Sequence, residues 1–156
     1  MANVKPIPDG YHSVTPYLII NGAVKALDFY KKAFGATELF RMEHEGKIGH
    51  AEIKIGDSPV MLADEQPTMG YVGPDKLGNS PVSLMIYVED VDKVYKQAIS
   101  SGGTEVKAVQ DQFYGDRSGT LKDPFGHVWH IATHKEDVSP QEMEKRIAAA
   151  HKAHSA

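Results

Sequence analysis

The chain contains no cysteine. That removes disulfides, thiolate metal ligands and a cysteine nucleophile together. It has no apolar run near the roughly 18–20 residues that cross a bilayer, and its opening MANVKPIPDG lacks the long apolar core of a secretory signal. A cytoplasmic protein with no membrane partner is expected. Positive charge is scarce too: 17 lysines and arginines stand against 21 acidic residues, a net charge of −4. The basic residues are scattered and not interleaved with aromatics, so nucleic acid is not expected as a partner. No phosphate-cradling loop can be read, since GDRSG is short and leads into a strand pattern. No serine sits on a strand-to-helix elbow, so no Ser-His-Asp order is present.

What is present is a chain written twice. Tyr17 to Leu39 (YLIINGAVKALDFYKKAFGATEL) repeats as Leu84 to Val106 (LMIYVEDVDKVYKQAISSGGTEV) at a constant offset of 67 positions. Gly35 then meets Gly102, and Thr37-Glu38 meets Thr104-Glu105. Each copy opens on a short apolar run and continues as an amphipathic helix. The stripes are Ala23, Ala26, Leu27, Tyr30 and Phe34 in one, and Val91, Val94, Tyr95 and Ala98 in the other. Asn21 or Gly22, and Asp90, are the expected N-caps; Gly35 and Gly102 are the expected stops. Three further strand-like runs follow in each half: ATELFRME, GHAEIKIGD and SPVMLADE, then GTEVKAVQ, the stretch around YGDRSGTLK, and HVWHIATH.

The expected fold is α+β, two tandem βαβββ modules forming a curved mixed-sheet cup. A single domain spans 11–138, with module one at 11–66, a Gly- and Pro-rich linker at 67–79 and module two at 80–138. A short C-terminal helix and tail fill 139–156. There Ser139-Pro140-Gln141-Glu142 reads as a capping box, and Met143, Ile147 and Ala150 form a narrow apolar stripe.

Two such units, with LDFYKKAFGA in the first helix and DPFGHVWHI in the last hairpin, resemble the vicinal oxygen chelate superfamily of glyoxalases, bleomycin resistance proteins and extradiol dioxygenases. GHAEIKIGDSPVMLADE, YGDRSGTLKDPFGH and VSPQEMEKR look like its PhnB-like subgroup. The resemblance implies that the two modules curl into half-cups around one ligand cavity. It also implies metal-ligand positions on the first and last strand of each module, which here hold Thr15, Met61, Ser83 and His130. Only His130 is an ordinary ligand for such an ion, so no metal and no cofactor are expected.

Strand parity gives the cup lining independently. With Met61 and His130 inward, Val60, Leu62, Trp129 and Ile131 belong to the core, and Thr15, Tyr17, Ile19, Ser83, Met85 and Tyr87 line the cup. Ala51, Ile53 and Ile55 form the apolar side of their strand, so His50 and Glu52 face the other way. The expected ligand contacts are Tyr17, Met61, Met85, Tyr87 and His130, with Arg117 as a possible charge partner; His130 and Glu52 are the candidate bases. An unusual His50–Glu52–His130 metal site is the less favoured alternative. The blander readings are that Asp116 and Arg117 form an ion pair, Asp64-Glu65 is a solvated strand end, His127 is exposed and His134 carries no signal. The leading function is a metal-free homodimer binding a small amphipathic or anionic molecule. The rivals are a lyase, isomerase or dioxygenase-type enzyme of the same superfamily, through a rearranged metal site or a metal-free base, and a regulatory protein with a vestigial cavity.

Overall fold

The computed structural model describes residues 4–154, so the last two positions of the expected 139–156 tail lie outside the described residues. The first module runs β1 (Tyr17–Ile20), α1 (Ala23–Phe34), β2 (Thr37–His44), β3 (Lys47–Ile55) and β4 (Ser58–Asp64). The second runs β5 (Ser83–Tyr87), α3 (Val91–Ser100), β6 (Thr104–Asp111), β7 (Asp116–Lys122) and β8 (Val128–His134). Each makes a four-stranded sheet, ordered β1-β4-β3-β2 and β5-β8-β7-β6. The first and last strands of each module pair in parallel and the hairpins pair antiparallel. Register shifts interrupt both the β2–β3 and the β6–β7 ladder. Such bulges bend and twist a strand, which curls each sheet. The linker carries structure that its composition did not announce, a 3-10 turn (Pro67–Met69) and a one-turn helix, α2 (Pro74–Leu77). Each starts on proline and ends on a glycine of positive φ.

Strand parity holds. Leu18, Ile20, Val60, Leu62, Ala51 and Ile53 are buried on one face of the first sheet; Leu121, Trp129 and Ile131 are buried on the second. The repeat needs a one-residue correction. Buried positions coincide at an offset of 68, with Ala23 matching Val91, Leu27 matching Tyr95 and Tyr30 matching Ala98. A slip of one residue exchanges the faces of a strand, so the gapless offset set core-facing Leu84 against outward Tyr17. The identities at Gly35/Gly102 and Thr37/Thr104 drew it there.

Helix α1 buries a wider stripe than one sheet requires, with Phe29 and Ala33 added to the expected positions. It packs on both modules. Trp129 of β8 lies against Phe34 and Tyr30 at centroid distances of 4.8 and 5.4 Å, and Phe29 meets Phe125 at 6.3 Å. Helices α1 and α3 also pack against each other. The helix-covered faces of the two sheets are therefore turned toward each other, and the concave faces look outward. The single cavity that the resemblance implies is not closed within one chain.

The caps show how the first module is tied together. Gly22 is the N-cap of α1 at φ 94°, a conformation that leaves no side chain there to accept the helix's first N–H groups. Asp64, at the far end of β4, does so instead: Oδ1 accepts from the backbone of Gly22 and Ala23 and Oδ2 from Ile48. Glu65 accepts from the Gly73 backbone at 2.6 Å. The pair is thus not a solvated strand end; Asp64 is 6% exposed. Asp90 caps α3 as expected, accepting from the Lys93 backbone. Helix α4 (Pro140–His154) is anchored by Arg146, which grips Glu136 with two N–H groups and donates to the Phe113 carbonyl.

Candidate functional site

The concave face of the second sheet carries His130 at its centre. Its ring nitrogens are both engaged, Nδ1 with the Thr120 hydroxyl at 2.9 Å and Nε2 with the Ser83 hydroxyl at 3.0 Å. Met85 lies opposite His130 in the parallel β5–β8 register, and Tyr87 stands two residues on, 62% exposed. The Tyr87 hydroxyl donates to Asp116 at 2.8 Å, which pushes the phenol above its usual range. Asp116 is buried and also meets His134 Nδ1 at 2.7 Å, while His134 Nε2 meets Asp137 at 2.9 Å.

His134, which sequence gave no reason to single out, is thus held between two carboxylates. Both of its nitrogens face acceptors, which suits the doubly protonated ring, and these hydrogen bonds raise its pKa above 6.5. A raised folded-state value means that the latch contributes fully below the unfolded value and fades as pH rises through the folded one. An NMR titration of the His134 ring should give a midpoint above 6.5 that falls on Asp137→Asn. A midpoint that does not move in that variant would remove the latch.

The concave face of the first sheet carries Tyr17 opposite Met61, with Glu52 in the same row. Four side chains form a chain of hydrogen bonds across it. Tyr17 Oη meets His50 Nδ1 at 2.8 Å, His50 Nε2 meets Glu52 Oε1 at 3.1 Å, and the Tyr11 hydroxyl donates to Glu52 Oε2. Those two donors hold the Glu52 carboxyl below its ordinary value, the Tyr11 bond contributing most, and Tyr11 is pushed up to about 12 in return. Tyr11 precedes β1 in irregular chain, where no periodicity could flag it. Beside Tyr17 opens a cavity of about 520 Å³ lined by Ile19, Gly49, Ala63, Asp64, Gln66, Met69 and Tyr71. Its outer wall comes from the linker, folded back by the paired backbones of Gln66 and Tyr71.

The expected contacts Tyr17 and Met61 therefore lie on one sheet, and Met85, Tyr87 and His130 on the other. Arg117 lines neither face. It points to the helix side of β7, where it donates twice to Asp92 of α3 and once to Asp111, so its fork is already filled. The ion pair is real but its partner is not Asp116. His127 is not exposed either: its ring bonds the Ile19 carbonyl at 3.1 Å, joining the modules.

A catalytic metal does not fit the four positions at which the superfamily places ligands. Thr15 precedes β1 in irregular chain and Met61 lies on β4, whereas Ser83 and His130 lie on the second sheet, and the donors are two hydroxyls, a thioether and an imidazole already bonded at both nitrogens. Within one chain His50 and Glu52 sit on β3 of the first sheet and His130 on the second, so the three do not converge there. Among the described residues no group of three or more His, Asp or Glu side chains is placed to hold a metal ion.

Comparison with known proteins agrees with this architecture. Proteins of Mycobacterium bovis and Mycobacterium tuberculosis, both uncharacterized, are each 37% identical over 151 residues, which is 94% of this chain and 95% and 85% of theirs. Among solved structures, TioX from Micromonospora sp. ML1 superposes with a TM-score of 0.63 at 23% identity, over 82% of this chain and 100% of its own. A gene product of Arabidopsis thaliana gives 0.64 at 23% identity, over 78% and 98%. At this identity both show the fold alone. The model of the glyoxalase/bleomycin resistance protein/dioxygenase superfamily matches residues 12–131, most of the two-module body, and the chain belongs to that superfamily.

Proposed function

We propose that the chain is a small-molecule-binding protein of this superfamily, allied to its PhnB-like members, that works without a catalytic metal and as a cytoplasmic homodimer. In the dimer the first sheet of one copy closes over the second sheet of the other. The observation that carries this reading is the outward turn of both concave faces. Tyr17, Phe40, Met42, Met85 and Tyr87, all apolar or aromatic, are 44–62% exposed there. A monomer leaves these surfaces wet, and two-fold pairing buries both at once. Among the described residues the outer edges of β1 and β5 also lack a strand partner. Both candidate bases are spoken for by neighbours, His130 by two hydroxyls and Glu52 by Tyr11 and His50, which favours holding a ligand over proton abstraction.

Sedimentation equilibrium at micromolar concentration should give twice the chain mass of 17.1 kDa. Elemental analysis of protein purified without chelator should find no stoichiometric divalent ion. A mass of one chain throughout that range would sink the dimer. About one metal per chain, lost on His130→Ala, would sink the metal-free reading.

A further inference from the structure

The hydrogen-bond chain on the first sheet has a direction, and the direction selects a ligand. Glu52 is the fixed end. As a carboxylate it can only accept, and its two oxygens take the Tyr11 hydroxyl and His50 Nε2. His50 therefore carries a proton on Nε2. When that proton is the ring's only one, Nδ1 has a lone pair and no hydrogen, and the Tyr17 hydroxyl, 2.8 Å away, donates to it. Every proton in the chain points toward Glu52. What is left at the outer end is the Tyr17 oxygen, beside the 520 Å³ cavity, with lone pairs and no hydrogen to give.

The other cavity walls bring no positive charge to attract an anion. Among the described residues of one chain, no lysine or arginine lines the cavity. Among the described residues Asp64 is the charged one in the lining, and its oxygens already hold the backbone of Gly22, Ala23 and Ile48, with the exposed Lys47 ammonium 3.9 Å away. The remaining surfaces are the Tyr17 and Tyr71 rings, Ile19, Gly49, Met69 and Ala63, and on the linker wall the Gln66 amide and the Tyr71 hydroxyl, neutral groups that can accept as well as donate. Aromatic rings present their negative faces to whatever lies over them, which favours a cation and disfavours an anion.

We propose that this cavity takes a flat, mainly apolar molecule bearing a hydrogen-bond donor, a hydroxyl or a protonated amine, which donates to Tyr17. This inference rests on the binding reading above and narrows it. The anionic ligand that Arg117 suggested is replaced, because that guanidinium is filled by Asp92 and Asp111 on the other side of its sheet. The preference belongs to the relay as a whole. Tyr17 supplies the acceptor, His50 orients its hydroxyl, and Glu52 fixes the His50 tautomer from a distance, as a positioning residue.

Four small probes test it on the full-length protein at pH 8: benzylamine and phenol as donors, acetophenone and benzoate as acceptors. Amide NMR titrations report binding at Gly49, Ala63 and Tyr71. Benzylamine and phenol should bind there at least about tenfold more tightly than acetophenone and benzoate. Tyr17→Phe keeps the ring and should erase that difference. Glu52→Gln frees the tautomer, because an amide can also donate, and should narrow it without loss of fold. Acceptor probes that bind as well as donors would overturn the donor preference and leave the binding reading standing. So would a preference that persists in Tyr17→Phe. If none of the four shifts these residues at millimolar concentration, the binding reading itself falls, and the inference with it.

Discussion

Replacing Trp129 with alanine is expected to cost about 3–5 kcal/mol of stability, while Tyr87→Ala costs no more than about 1 kcal/mol. The two aromatics lie on neighbouring strands of one sheet and differ in the face they take. Trp129 is 1% exposed, packed on Phe34 and Tyr30. Its removal empties a space between the modules that α1 cannot collapse to fill, because that helix is held on the first sheet. Tyr87 is on the open concave face, and its fold contribution is one hydrogen bond to Asp116, which keeps His134 when the phenol is gone. In a domain of this size the Trp129 change should lower Tm by roughly 10 °C or more. Denaturant melts of both variants, paired with ligand titrations, check the assignment. If Tyr87→Ala unfolds the protein and Trp129→Ala is stable, the faces of β5 and β8 have been exchanged.

The fold was legible in the sequence because a βαβββ unit announces itself twice over. Strand parity and helix stripe each mark a buried face, and the second copy repeats them. The phase of the repeat was harder to read. Glycines and a Thr-Glu pair matched at 67 positions, yet burial in the helices follows 68, because α1 is two residues longer than α3 while the turn after α3 carries one residue more, Ser101, before its glycine. The faces were still assigned correctly, since parity was taken within each strand and not from the offset. Phe29 and Ala33 were the sign that α1 serves two sheets, and thus that the concave faces turn outward. A stripe of that width on a helix beside a single sheet has no other use.

The site was legible by face and not by partner. Tyr17, Met61, Met85, Tyr87 and His130 lie where alternation put them. Arg117 was put beside them for its charge and not by alternation, and it turns to the helix side of β7. The residue that settles it is Asp92 on α3, and a helix-to-strand ion pair leaves no periodic trace. The same holds for Asp64 and Asp116. Each looks like a surface acid in sequence, and each is buried by donors from distant segments, Gly22 and Ile48 for one, Tyr87 and His134 for the other. Buried carboxylates of this kind are defined by what reaches them, and sequence spacing carries none of that.

Asp123 is the strongest case. It is 3% exposed and accepts four hydrogen bonds: the Tyr30 hydroxyl at 2.7 Å and Trp129 Nε1 at 2.9 Å on one oxygen, the Phe125 and His127 backbones on the other. Tyr30 comes from α1, so this carboxylate joins the first module to the last hairpin of the second. Burial and the carboxylate push the Tyr30 phenol well above its ordinary range, which keeps it a donor at any working pH. Asp123→Ala strands two buried side-chain donors and loosens the turn, at an expected cost on the order of 4 kcal/mol. Asp123→Asn keeps the shape and one good acceptor, and should cost less. The decisive measurement is a double-mutant cycle with Tyr30→Phe. Losing the hydroxyl should cost about 1.5–3 kcal/mol when Asp123 is present, as hydrogen bonds to charged groups do. It should cost nothing, or even stabilise, in the Asp123→Ala background, where the hydroxyl has no acceptor. Strictly additive costs would mean that Tyr30 and Asp123 do not share a bond, and the modules would then be held by aromatic packing and the His127–Ile19 bond without this carboxylate.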